Sequence, residues 1–271
     1  MANSPSGESM IARVVRLLSV FPKHKHPLSV REIAHAASLP VTTTHRLLRE
    51  LEAEDLVTRG VDGGWRHGNR LWEIASKNSP VQSLRDAALA PMEDLIAGIP
   101  VHLSLAILDR NEVLYIERLR PNDHTVNITS LAGRLPAHAT SAGIALYAFG
   151  SPESLRVLLN RELTKYTETT PTEVEELKER LLRTRREGYV ALLGAITPES
   201  TGISVPVLGD GEYAIAALTA IVPVGQEDLP VLVPQLRFAA RAIRRRLGGT
   251  PNSVSGLVRE TSQVPSNNPP Q

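Results

Sequence analysis

Residues 42 to 49 read Thr-Thr-Thr-His-Arg-Leu-Leu-Arg, a run of short hydroxyls, an imidazole and two guanidiniums. Hydroxyls of this size reach phosphates and bases, and guanidiniums fork onto guanine or phosphate, so the chemistry on offer is recognition of nucleic acid. Arg59, Arg66 and His67 add a second basic set suited to phosphate or minor-groove contacts. The candidate DNA contacts are therefore Thr42, Thr43, Thr44, His45, Arg46, Arg49, Arg59, Arg66 and His67.

Such groups need elements to hold them. Ser29-Val30-Arg31-Glu32 is a capping box, with Ile33, Ala34 and Ala37 as the apolar face of a helix over about 30 to 38. A tight turn at Ser38-Leu39 leads to Pro40, which suits a first helical position. Val41, Thr44, Leu47, Leu48 and Leu51 then recur at helical spacing, which turns Thr42, Thr43, His45, Arg46 and Arg49 outward. Leu56 to Arg59 reads as a strand, Asp62-Gly63-Gly64 as a turn and Trp65-Arg66-His67 as the returning strand. A charged helix pair beside a hairpin is unremarkable taken singly. The order of helix, tight turn, helix and β-ribbon is that of a winged helix-turn-helix over residues 8–70 and makes double-stranded DNA the expected partner. In front of it, Ile11, Val14, Val15, Leu17, Leu18 and Phe21 form a broad apolar stripe that backs the pair and offers a dimerisation face.

The whole chain sets limits. It has 271 residues, enough for two domains, and 42% of them are hydrophobic, enough to fill two cores. It has no cysteine, which removes disulfides, thiolate zinc sites and cysteine nucleophiles. No apolar run reaches the length of a membrane helix and the first residues lack a signal-peptide layout, so a cytoplasmic protein with no membrane contact is expected. Net charge is +1, but residues 1 to 78 carry 11 Lys and Arg against 8 Asp and Glu, a modest basic excess in the segment expected to meet DNA. His24 and His26 have no further ligand at metal-binding spacing, and no metal or other cofactor is expected.

Beyond the ribbon, residues 71–98 read as a linker region whose long helix carries Leu84, Ala88, Met92, Leu95 and Ile96. Residues 99–249 alternate strands and helices: a hairpin around Asp109-Arg110-Asn111-Glu112, a strand at 125 to 130, and a helix from Ala142 to Phe149. A helix capped by Thr170-Pro171-Thr172-Glu173 follows, then strands at 203 to 208 and 213 to 221 and a last helix from about Leu229 to Leu247. Arg241 and Arg244 to Arg246 complement the negative end of that helix. Residues 250–271 have the composition of a disordered tail. There is no Gly-x-Ser-x-Gly elbow, His-Glu-x-x-His pair or phosphate loop, so an enzyme is not expected. A constitutive architectural DNA-binding protein would leave the second half without a task.

The segment Leu135-Pro-Ala-His-Ala-Thr-Ser-Ala-Gly-Ile-Ala-Leu-Tyr-Ala148 resembles the hallmark of the IclR family of bacterial transcription regulators. Arg-Glu-Gly188-Tyr, Ser-Val-Pro206-Val and Ala-Ala217-Leu-Thr resemble its next blocks, and Leu39-Pro-Val-Thr-Thr-Thr-His-Arg-Leu-Leu48 its recognition helix. The resemblance implies an α+β chain: an N-terminal winged helix-turn-helix and a C-terminal GAF-like α/β effector-binding domain, assembled as a dimer or a dimer of dimers on operator DNA. It implies a small carboxylate effector held by amides near Gly133 and Ala139, where small residues expose the backbone at a helix start, with His138, Thr140 and Ser141 lining or bracing the loop. Where members that bind small oxoacids carry polar residues, this chain has Ala195, Gly202 and Ile221, while Thr219 keeps a hydroxyl. A larger acid, of the benzoate or hydroxybenzoate kind, is the expected effector, and catabolic genes the expected targets.

Overall fold

The computed structural model describes residues 8–24, 26–76, 79–120, 133–209 and 212–248. The strand expected at 125 to 130 and the tail from residue 250 lie outside them. The chain divides into two units, Met1–Ser79 and Pro80–Gln271.

In the first unit α1 (Met10–Leu18) precedes α2 (Val30–Ala36) and α3 (Val41–Ala53), followed by the ribbon β1 (Val57–Arg59) and β2 (Trp65–His67) and by α4 (Asn69–Ser76). The capping box is formed: the Ser29 hydroxyl accepts from the Glu32 amide and the Glu32 carboxylate accepts from the Ser29 amide at 2.7 Å. Pro40 occupies the cap of α3, one residue before its first turn. Ser38 sits at φ 50°, the left-handed conformation that lets the chain reverse between the two helices. Leu17, Ile33, Leu47, Leu48, Leu51, Val57 and Trp65 form one core, so α1, α2, α3 and both ribbon strands contribute their apolar faces to the same centre. A bridge from Leu28 to Trp65 adds a third short pairing to the ribbon.

The second unit is a six-stranded antiparallel sheet between two layers of helix. Its strands are β3 (His102–Asp109), β4 (Glu112–Leu119), β5 (Arg134–Pro136), β6 (Val190–Leu193), β7 (Ser200–Leu208) and β8 (Ala214–Pro223), in spatial order β5-β4-β3-β8-β7-β6. On one face α5 (Pro80–Gly98) and α9 (Leu229–Leu247) bury Leu84, Met92, Leu236 and Ile243 against Leu103, Leu105, Val205 and Leu218. The long helix read as a linker thus supplies part of this core. On the other face α6 (Ser141–Ala148), buried throughout, lies with α7 (Pro152–Leu159) and α8 (Val174–Glu187) over Ala106, Tyr115 and Ala217.

Thr170 does not cap α8. That helix starts at Val174 with Glu173 as its cap residue and no side-chain cap bond. The Thr170 hydroxyl accepts instead from the amides of Tyr166 and Thr167 and donates to the Ala195 carbonyl at 2.6 Å.

Candidate functional sites

The outward face of α3 is the first site. Thr42, His45, Arg46 and Arg49 are exposed and Thr43 is half-buried. Thr44 is a correction to the expected contacts: it is fully buried, and its hydroxyl donates to the Pro40 carbonyl at 3.1 Å, stitching the first turn. Arg46 pairs with Glu50 one turn on at 2.5 Å. Both side chains are half exposed, so the pair is weak and easily exchanged for a phosphate or base edge.

The ribbon residues divide. Arg66 is exposed and loosely paired with Asp62 at 3.9 Å. Arg59 donates through Nε to the Gly63 carbonyl at 3.1 Å and lies over the Trp65 ring, so one of its five N–H donors holds the ribbon turn. His67 is exposed but tied to the end of α1, its Nε2 3.1 Å from the Leu18 carbonyl and its ring 5.0 Å from Phe21. It braces the ribbon against the end of α1.

The second site is a hollow of about 470 Å³, including its open mouth, on the α6 side of the sheet. It gathers Ala139, Thr140 and Ser141 from the start of α6, Ala195 from the loop after β6, Gly202 from β7, and Thr219 and Ile221 from β8. Gly202 pairs with Ile221 and Ser204 with Thr219, which explains why residues so far apart in sequence share one face. Two expected residues are elsewhere. Gly133 does not line the hollow, and its carbonyl accepts from the Tyr115 amide. His138 turns to the other side of its short turn, where Nε2 lies 2.9 Å from the Thr164 carbonyl and the ring approaches Tyr166.

Sequence reasoning missed the rest of the lining: Tyr115, Leu135, Leu192, Ile196, Thr197 and Ser200. Burial pushes the Tyr115 phenol well above its ordinary range, so it stays neutral. The alternation of β4 was a usable signal for Tyr115, but not for the sheet order that brings it to this site.

The start of α6 presents a helix N-terminus to the hollow, the end of a helix that favours negative charge. The Thr140 hydroxyl accepts from the Gly143 amide at 3.1 Å. The amide of Ser141, the first residue of α6, has no partner within its helix, whereas that of Ala139 ends the short helical turn Ala137–Ala139. Gly143 is required here, because a Cβ on it would fall 2.0 Å from the Ala137 carbonyl oxygen. The wall at 193 to 195 is held from outside by three threonines: Thr169 donates to the Leu193 carbonyl, Thr167 to that of Gly194 and Thr170 to that of Ala195.

Family models place both units. The model of the bacterial transcriptional regulator IclR C-terminal domain matches residues 79–245, and that of the IclR helix-turn-helix domain matches residues 10–60. The chain belongs to the IclR family. It is 30% identical to the probable transcriptional regulator SauR of Cupriavidus necator over 84% of this chain and 92% of that one. It is 27% identical to the HTH-type transcriptional regulator XynR of Escherichia coli over 88% and 96%. A crystal structure of an IclR homolog complexed with 4-hydroxybenzoate, from Microbacterium hydrocarbonoxydans, superposes with a TM-score of 0.83 at 38% identity, covering 89% of this chain and all of that one. The IclR architecture of a DNA-binding unit and an effector unit is thus the architecture of this chain, and its relatives are named as regulators rather than catalysts. Among the described residues no helix is long and apolar enough to cross a membrane, and no group of side chains could hold a metal ion.

Proposed function

We propose that this IclR-type regulator binds operator DNA in response to a small aromatic carboxylate held in the hollow beneath α6, and that its target genes serve the catabolism of such acids. The observation that carries this reading is the pairing of the Ser141 amide, which has no partner within its helix, with apolar walls supplied by Leu135, Leu192, Ala195, Ile196 and Ile221. This amide and the helix start favour the anion. These apolar walls favour ring carbon, each apolar Å² removed from water contributing about 25 cal/mol, whereas an oxygen left unpaired against them costs about 1–3 kcal/mol; the hydroxyls that share the lining are those of Tyr115, Thr140, Ser141, Thr197, Ser200 and Thr219. Ala195, Gly202 and Ile221 offer no side-chain hydrogen bond to such an oxygen. The homolog of 38% identity complexed with 4-hydroxybenzoate supports the same class.

On DNA the outward side chains of α3, Thr42, Thr43, His45, Arg46 and Arg49, read the major groove, and Arg66 with Arg59 approaches the backbone from the ribbon. One such unit presents too little surface for high specificity, so the protein works as a dimer or a dimer of dimers on paired half-sites. Ile11 and Val15 on α1 and Trp72 and Ile74 on α4 are exposed apolar residues available to that assembly.

Calorimetric titration of the full chain with benzoate, 4-hydroxybenzoate, glyoxylate and pyruvate tests the effector class. Binding of an aromatic acid in preference to both oxoacids is expected. Tight glyoxylate or pyruvate binding with no response to either aromatic acid would overturn it.

A further inference from the structure

We propose that Thr219 and Ser204 form a one-way hydroxyl relay that makes Ser141 an obligate hydrogen-bond donor to the effector carboxylate, with Ser204 as a positioning residue outside the hollow. This rests on the aromatic-carboxylate reading above and specifies how the anion is told from a neutral ring.

The relay follows from counting protons. A serine or threonine hydroxyl has one hydrogen and two acceptor positions. Ser204 Oγ donates to Ser141 Oγ at 2.8 Å, which uses its only hydrogen. Its second contact, to Thr219 Oγ1 at 2.7 Å, must then be donated by Thr219. The direction is Thr219 to Ser204 to Ser141, and the Ser141 hydrogen is the one left over; among the described residues it has no acceptor. All three side chains are buried, so bulk water is not the ready alternative, yet Ser141 and Thr219 both line the hollow. The chain does not drain the other way, because Ser104, the register partner of Thr219 on β3, makes no hydrogen bond through its buried hydroxyl.

Gly202 makes the relay possible. A Cβ at this position would stand 2.4 Å from Ser141 Oγ, so any larger residue displaces the hydroxyl from its place beside Ser204. The glycine that removed a polar pocket residue therefore admits a serine hydroxyl in its stead. A donor fed by two preceding donors is polarised by them, and its bond to an anion is charge-assisted. A ligand with a ring but no acceptor oxygen at Ser141 leaves that hydrogen buried and unpaired.

The test is calorimetry of 4-hydroxybenzoate and benzoate binding to the full-length wild type, Ser204→Ala, Ser141→Ala and the double variant. Ser141→Ala should lose about tenfold in affinity for both acids, as expected for a hydrogen bond to a charged group, and Ser204→Ala should lose several-fold. In the Ser141→Ala background it should lose almost nothing more. A purely structural role would give the same loss with or without Ser141, and that result overturns the relay. Should Ser204→Ala fold poorly, Gly202→Ala provides the second arm and should weaken both acids by the same path. Unchanged affinity in whichever variant folds would also overturn it. If the wild type binds neither acid, the effector reading fails and the relay falls with it; if the wild type binds and Ser204→Ala binds as tightly, the relay alone falls.

Discussion

The Thr170 hydroxyl donates to the Ala195 carbonyl at 2.6 Å across 25 residues of sequence, and it fastens the wall of the hollow to the segment leading into α8. The same oxygen accepts from the Tyr166 and Thr167 amides. Thr170→Val keeps the shape and leaves these backbone groups without their partner. We expect a loss of about 1–3 kcal/mol in stability of the effector unit, seen as a lower melting temperature, with weaker aromatic-acid binding. An unchanged melting temperature would show that water takes over those groups.

Neighbouring residues on α3 give opposite expectations. Arg46 is exposed and only weakly paired with Glu50, so Arg46→Ala should weaken operator binding by about 1–3 kcal/mol if it holds a bidentate base contact, with little change in stability. Thr44 is buried, so Thr44→Val should leave operator affinity within error. Gel-shift titration of both variants checks the pair, and a Thr44→Val protein defective on DNA while fully folded would mean that α3 is docked on another face.

The first unit was the more legible part of the sequence because its signals are local. A capping box, a proline, a glycine turn and apolar spacing each act within a few residues, and Ser29, Glu32 and Gly63 do in the structure what their positions imply. The errors arose where a local signal had a distant competitor. Thr170 reads as a cap, but its hydroxyl bonds across to Ala195. His67 reads as a free basic side chain, but the end of α1 lies against it. Ser204 was invisible for a related reason: strand alternation puts it on a face, and the β7–β8 register decides that Thr219 stands beside it. The short strands β5 and β6 and helix α7 were also unread. For α7 the cap at Ser151 ahead of Pro152 was a usable local signal.

Assembly can be separated from folding on α1. Ile11 is 76% exposed and Val15 56%, on the same side as one another by helical spacing and away from the core position Leu17. Charging this face with Ile11→Glu and Val15→Glu should leave the melting temperature close to that of the wild type. Light scattering at micromolar protein should show a shift toward smaller species, and footprinting should show loss of paired half-site protection. A wild-type mass equal to one chain would remove the premise.

Glu227 provides a pH dependence with a defined sign. Its carboxylate accepts from the Thr201 hydroxyl and from the Gly225 amide, and the Thr201 bond is the first cause that holds its pKa below the ordinary carboxylate value. A folded-state pKa lower than the unfolded one means that the unfolded chain takes up this proton first as pH falls. The stabilisation is therefore complete above the unfolded value, about 4.3 for a glutamate, and is lost as pH drops through the lower folded value. Glu227→Gln cannot show that loss. The wild type should melt above the variant at pH 7, and the gap should narrow as pH falls below the ordinary carboxylate value and close below the lower folded one. Thr201 lies on β7 next to Gly202, so the same titration reaches the strand that lines the hollow. A gap that is constant from pH 7 to pH 3 would show that Glu227 acts through its shape and not through its charge.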